Sequence, residues 1–200
     1  MTGCLVLAAG ASSRMGGFPK ALAEIAPGRT ALSQVLSTAL GAGLDVVVVT
    51  GFRSEEVARE AHRGGARVVE NIRWEEGRTG SVQAGLREGG FPEGWVVVWP
   101  VDHPLVKQET LLALQEALRE PGRAQWIIPT YANRGGHPVA LGPHARAEVL
   151  GLGPGDPLNS YPRRNPARVR RLEVPDPGVL KNLDTWTDFN RIPRAPGSVP

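Results

Sequence analysis

Cysteine is almost absent: Cys4 is the only one in 200 residues, so no disulfide can close within the chain. Its place in a short apolar run marks it as a reduced, buried thiol. One cysteine and four dispersed histidines supply no zinc-ligand spacing. Long hydrophobic runs are missing too. None nears the about 20 residues that cross a bilayer, and no charged leader precedes Cys4. A cytoplasmic protein with no membrane partner is therefore expected. Charge of one sign is nowhere concentrated: the 23 basic and 20 acidic residues are interspersed, for a net +3, which argues against a nucleic-acid partner. Lysine is scarce, and Lys20, Lys107 and Lys181 stand among arginines. Where lysine is kept, its compact point charge suits a phosphate.

What is present reads as an α/β chain. Its length allows one buried core, so residues 1–192 are expected to form one domain and 193–200 a disordered tail. Strand-like runs recur at 4–9, 45–50, 66–70, 95–99 and 125–129, with helical patterns between them. That alternation argues for a mostly parallel sheet. Leu32, Val35, Leu36 and Leu40 fall at helical spacing, as do Leu111, Leu112, Leu114 and Leu118. Ser54 reads as the N-cap of a helix with Glu55 and Glu56 in its first turn. After Arg134 glycine and proline become frequent, and this stretch reads as a lid or substrate-side insertion. A strand at 168–174 and a helix opened by a capping box of Thr185 and Asp188 complete the chain.

The most informative segment is Leu7-Ala-Ala-Gly-Ala-Ser-Ser-Arg-Met-Gly-Gly-Phe-Pro-Lys20. It leaves the carboxyl end of the first strand, where open α/β sheets place their ligands. Small residues let backbone N–H groups approach an anion, and Arg14 and Lys20 add charge where a polyphosphate would lie. The glycines do not make G-x-G-x-x-G, and Lys20 lacks the neighbours of a P-loop lysine. This is a different phosphate loop.

Asp102, in Trp99-Pro-Val-Asp-His-Pro, follows another strand and either starts the turn before Pro104 or offers a carboxylate to Mg²⁺. Asn182 and Asp184 alternate along an extended segment, so both point one way, as turn and cap residues or as further oxygen donors to the metal. Ser81 can cap the helix that follows Gly77 and Gly80. Gly135-Gly-His-Pro-Val139 places His137 in a turn. His62, His103 and His144 carry no comparable signal.

The loop resembles the L-A-A-G-x-S-x-R-M-G-x-x-K signature of nucleotidyltransferases of the molybdenum-cofactor kind. Asp102 falls in a string similar to their P-x-D-x-P-L, and Asn182 and Asp184 in one similar to N-x-D-T-P-E-D, with Trp186 and Thr187 as departures. Asn71, Trp74, Gly77, Ser81 and Gly85 match N-x-x-W-x-x-G-x-x-x-S-x-x-x-G-L. The resemblance covers nearly the whole chain and implies a three-layer α/β/α nucleotidyltransferase fold. It implies an NTP held by Leu7, Ala8, Ala9, Gly10, Ser12, Arg14, Lys20, Asn71, Gly80, Ser81 and Asp102. Arg14, Lys20 and Asp102 would be catalytic, Mg²⁺ would be bound by Asp102 with Asp184 and Asn182, and Gly136 and His137 would face the acceptor. The Ala-Ala-Gly form and the Gly-His-Pro string are similar to enzymes that attach CMP from CTP to molybdopterin. A guanylyltransferase, a sugar-phosphate or other small-phosphate nucleotidyltransferase, and a non-catalytic protein delivering cofactor to a molybdoenzyme remain alternatives.

Overall fold

The computed structural model describes residues 2–153 and 155–192; the expected tail at 193–200 lies outside them. The elements run β1 (Gly3–Leu7), β2 (Glu24–Ala26), β3 (Arg29–Thr30), α1 (Ala31–Gly41), β4 (Asp45–Thr50), α2 (Ser54–Arg63) and β5 (Arg67–Glu70). They continue with α3 (Arg78–Glu88), β6 (Val96–Pro100), α4 (Gln108–Arg119), β7 (Trp126–Tyr131), β8 (Arg134–Gly135) and β9 (Val139–Leu141). The last are α5 (Pro143–Leu150), α6 (Ser160–Arg164), β10 (Val169–Glu173) and α7 (Trp186–Asn190).

The main sheet has the order β10-β7-β9-β6-β1-β4-β5, with β8 attached to β7, while β2 and β3 form a separate hairpin. β1 lies parallel to both β4 and β6, and β4 to β5. β9 alone on the main path runs antiparallel to its neighbours, between β6 and β7. The strand alternation builds two cores. Cys4 and Val6 of β1, with Val46, Val48, Val97 and Trp99, face the helices α1, α2 and α4. Leu5 and Leu7, with Val47, Val49, Val96 and Val98, face α3, α5 and α6. Helices thus cover both faces of a mostly parallel sheet, which is the three-layer α/β/α arrangement. No helix among the described residues is long and apolar enough to cross a membrane.

Three details differ from the expectations. The stretch after Arg134 is no simple insertion, because Val139, Ala140 and Leu141 are buried inside the sheet as β9. Ser54 is the first residue of α2, not its cap; the cap position is Arg53 at φ 50°, and the Ser54 hydroxyl meets Thr50 Oγ1 at 2.9 Å. Ser81 sits inside α3, whose cap position is Gly77. The capping box at α7 is present: Asp188 N–H donates to Thr185 Oγ1, and Thr185 N–H returns to Asp188 Oδ2. Cys4 is fully buried, and burial pushes its thiol pKa well up, so it is inert.

Candidate active site

β1 ends at Leu7 between the carboxyl ends of β4 and β6, and backbone bonds fix the exit. Ala8 N–H donates to Val49 O at 2.9 Å, and Val101 N–H donates to Leu7 O at 3.1 Å. The loop beyond is coiled by left-handed residues: Ser12 at φ 51°, Gly16 at 65° and Gly17 at 77°. Ser12 Oγ accepts the Lys20 N–H at 3.0 Å, so the serine closes the loop on itself. That closure delivers Lys20 and Arg14 to the same carboxylate. Lys20 Nζ lies 2.6 Å from Asp184 Oδ1 and 3.5 Å from Asp102 Oδ2, and Arg14 Nη1 lies 2.8 Å from Asp184 Oδ2.

The two carboxylates come from remote segments held together by backbone. Leu183 N–H donates to Asp102 O at 2.7 Å. Asp184 is oriented by the α7 cap, since its own N–H donates to Asp188 Oδ2 at 3.1 Å, and Asn182 Nδ2 donates to Asp184 Oδ2 at 3.0 Å. His103 Nδ1 donates to Asp102 Oδ1 at 2.9 Å. Burial pushes the Asp102 pKa up, but the His103 bond and the charges of His103, Lys20 and Arg78 outweigh it and hold it at about 2. Asp102 is therefore a carboxylate at any physiological pH.

A cleft of about 260 Å³ opens above this group, lined among others by Leu7, Ala8, Ala9, Gly10, Ser12, Lys20, Ser81 and Asp102. A smaller recess of about 180 Å³ beside it is lined by Gly10, Ser12, Ser13, Arg14, Lys20 and Asp184. Asn71 and Gly80 do not line the cleft. Asn71 Nδ2 donates to Ser81 Oγ at 3.0 Å and so orients the serine from behind.

Gly136 and His137 line an adjoining cleft of about 630 Å³, with Trp126, Ile128, Val139 and Leu158 among its apolar walls. Gly136 is a glycine of close approach, because a Cβ there would collide with the Val179 backbone carbonyl. The same carbonyl accepts the His137 N–H at 2.9 Å. The His137 ring stands edge-on to His103, centroids 4.8 Å apart, and its Nδ1 is buried without a hydrogen-bond partner among the described residues. Burial first, then the charges of His103 and Arg78, lower its pKa to about 4, so the imidazole is neutral at pH 7.

Two residues escaped the sequence reading. His103 carries no motif of its own, yet it bonds the neighbouring Asp102 carboxylate. Arg78, the first residue of α3, lines both clefts, and its one sequence signal is its place after the helix-opening Gly77.

The donor set suits a hard divalent cation. Asp102 and Asp184 offer carboxylate oxygens, and the Lys20 ammonium already stands between them as a stand-in charge. No group of three or more His, Cys, Asp or Glu side chains among the described residues could hold a metal alone.

Residues 4–169 match the MobA-like NTP transferase domain. Nicotine blue oxidoreductase of Paenarthrobacter nicotinovorans is 30% identical over 199 residues, covering 96% of each chain. A nucleotidyl transferase from Methanothermobacter thermautotroptrophicus superposes with a TM-score of 0.80 at 28% identity, over 96% of this chain and 95% of the other. Rv0371C of Mycobacterium tuberculosis H37Rv, in complex with manganese, superposes with a TM-score of 0.70 at 26% identity, over 96% and 97% of the two chains.

Proposed function

The chain belongs to the MobA-like NTP transferase domain family, and from that premise we propose that it moves CMP from CTP onto the phosphate of molybdopterin with release of pyrophosphate. One observation carries the reading. The cations of the glycine loop and the carboxylates of Asp102 and Asp184 converge at the sheet edge, where a second cleft adjoins the first. Residues 1–192 would act as one nucleotidyltransferase domain in the cytoplasm, and a molybdoenzyme would receive the product.

Each group has a role in that reaction. The loop backbone from Ala8 to Ser12 and the Ser81 hydroxyl line the NTP site. Lys20 and Arg14, freed from Asp184, meet phosphate oxygens and stabilise charge on the α-phosphate and the departing pyrophosphate. Asp102 and Asp184, with Asn182, would hold Mg²⁺ or Mn²⁺, which neutralises phosphate charge when bound. The acceptor phosphate is already ionised near pH 7, its second pKa being about 6, so no protein base is required. Gly136 positions His137 at the acceptor cleft, where a neutral imidazole can exchange a hydrogen bond with the acceptor body. The small Ala8 and Ala9 leave backbone groups to read the base, and each hydrogen bond left unpaired by a wrong base costs about 1–3 kcal/mol.

The test is pyrophosphate release from CTP, GTP, ATP and UTP with Mg²⁺, with and without molybdopterin. CTP is expected to exceed GTP at least about tenfold in kcat/KM, equivalent to about 1.4 kcal/mol. A GTP preference would move the assignment to a guanylyltransferase. Release only with sugar phosphates would change the acceptor, and binding without turnover would favour a delivery role. The Paenarthrobacter nicotine blue oxidoreductase adds one arm: redox turnover of nicotine blue without pyrophosphate release would replace the transferase reading by a redox one.

A further inference from the structure

Among the described residues, Gly77 and Arg78 are the two that line both the nucleotide cleft and the larger cleft beside it. Gly77, at φ 111°, takes a backbone conformation that a side chain would strain, and this turn starts α3 with Arg78 at the junction. Lys20 and Arg14 are both tied to Asp184. The Arg78 guanidinium, by contrast, has no hydrogen bond or ion pair among the described residues, and it is exposed. Its charge is felt on both sides of the junction, at Asp102 and at His137.

The charge balance of the larger cleft is the decisive fact. Its ionisable lining comprises Glu76, Asp156, the neutral His137 and Arg78, so among the described residues Arg78 is the one Lys or Arg that lines it. A phosphate dianion entering this cleft meets two carboxylates and needs a cation to hold it. An arginine fork also matches a phosphate bidentately, which fixes direction as well as charge.

We propose, building on the nucleotidyl-transfer reading, that Arg78 binds the phosphate monoester of the acceptor and aims its oxygen at the α-phosphate of the NTP. The acceptor class is then a phosphate monoester whose body rests on the apolar wall of Trp126, Ile128 and Val139. The acceptor oxygen forms a bond to the α-phosphorus, the bond from that phosphorus to the β-bridging oxygen breaks, and pyrophosphate leaves with the electron pair. No proton or redox partner is consumed.

The test uses the full chain and the variants Arg78→Gln and Arg78→Lys. With CTP and molybdopterin, Arg78→Gln should raise the molybdopterin KM at least tenfold and leave the CTP Kd, read from tryptophan fluorescence, within threefold. Arg78→Lys should recover part of the loss. A parallel calorimetric titration of inorganic phosphate into protein saturated with the α,β-methylene analogue of CTP needs no turnover. Phosphate affinity should fall at least fivefold in Arg78→Gln. If wild type turns over no NTP yet loses phosphate binding on this substitution, the transfer reading fails and the anion site stands. Unchanged phosphate affinity, or a CTP Kd that rises as much as the molybdopterin KM, overturns the proposal.

Discussion

Lys20 Nζ lies 2.6 Å from Asp184 Oδ1, an ion pair between residues 164 positions apart that places an ammonium in the space between Asp184 and Asp102. The lysine is only 19% exposed, so this is not a solvent-screened surface contact. It has a consequence for binding. A divalent cation using these carboxylates and the ammonium compete, and a nucleotide offering phosphate oxygens gives the lysine another partner.

Lys20→Ala should therefore bind Mn²⁺ at least about threefold more tightly without nucleotide, because the competing charge is gone. It should also weaken CTP about tenfold, a loss of about 1.4 kcal/mol, and Lys20→Arg should restore CTP binding only in part. Electron paramagnetic resonance of free Mn²⁺ and nucleotide titration read the two effects separately. Weaker Mn²⁺ binding in Lys20→Ala would mean that the lysine supports the carboxylates rather than competing for them.

Asp102→Asn keeps nearly the same shape while removing the charge. Turnover should fall more than tenfold at saturating Mg²⁺, which corresponds to more than about 1.4 kcal/mol of transition-state stabilisation, with a smaller loss of folding stability. Parallel kinetics and thermal unfolding decide it. A variant retaining more than a tenth of wild-type turnover contradicts a metal role for this carboxylate.

His137 gives a pH signature. Its pKa falls from an ordinary 6.5 to about 4 on folding, so the unfolded chain takes up the proton first as pH drops. Stability should fall between about pH 6.5 and pH 4 through this group, by about 3 kcal/mol in full. Asp102 titrates in a separate window, its stabilisation being lost between about pH 4 and about pH 2. Urea unfolding at pH 7 and pH 4.5 should show a shallower loss in His137→Gln than in wild type. Equal slopes would mean that the imidazole is hydrated and unshifted.

Gly136→Ala tests how the larger cleft, the proposed acceptor site, is built. The added methyl would meet the Val179 carbonyl, which is backbone and cannot swing aside. A loss of about 1–3 kcal/mol in stability is expected, together with a raised acceptor KM as His137 shifts. Unaltered denaturant midpoint and KM would show that the segment at Val179 yields freely.

Much of the fold was legible because buried parallel strands are written as apolar runs, and residues 45–50 coincide with β4 as read. β9 was not, since three buried residues after a Gly-Gly-His-Pro turn are too few to show a period. Ser54 misled because a serine before two glutamates has the composition of a cap, whereas the turn at Arg53 takes that position. Arg14, Lys20 and Asp102 could be named from local strings. Their meeting at Asp184 depends on sheet order, which no window of sequence contains. His103 and Arg78 were passed over for the same reason: one matters through its bond to Asp102, the other through the meeting of two clefts.

The proposed reaction moves the α-phosphate, and no other, at the site between Lys20, Asp102 and Asp184. Separate reactions with CTP labelled at the α- or the γ-phosphorus, molybdopterin and Mg²⁺ test it most directly. The α-label should appear in the acceptor product and the γ-label in pyrophosphate, and both should form more than about tenfold more slowly in Asp102→Asn. Recovery of the γ-label in the acceptor, or no transfer of either label, would contradict the claim.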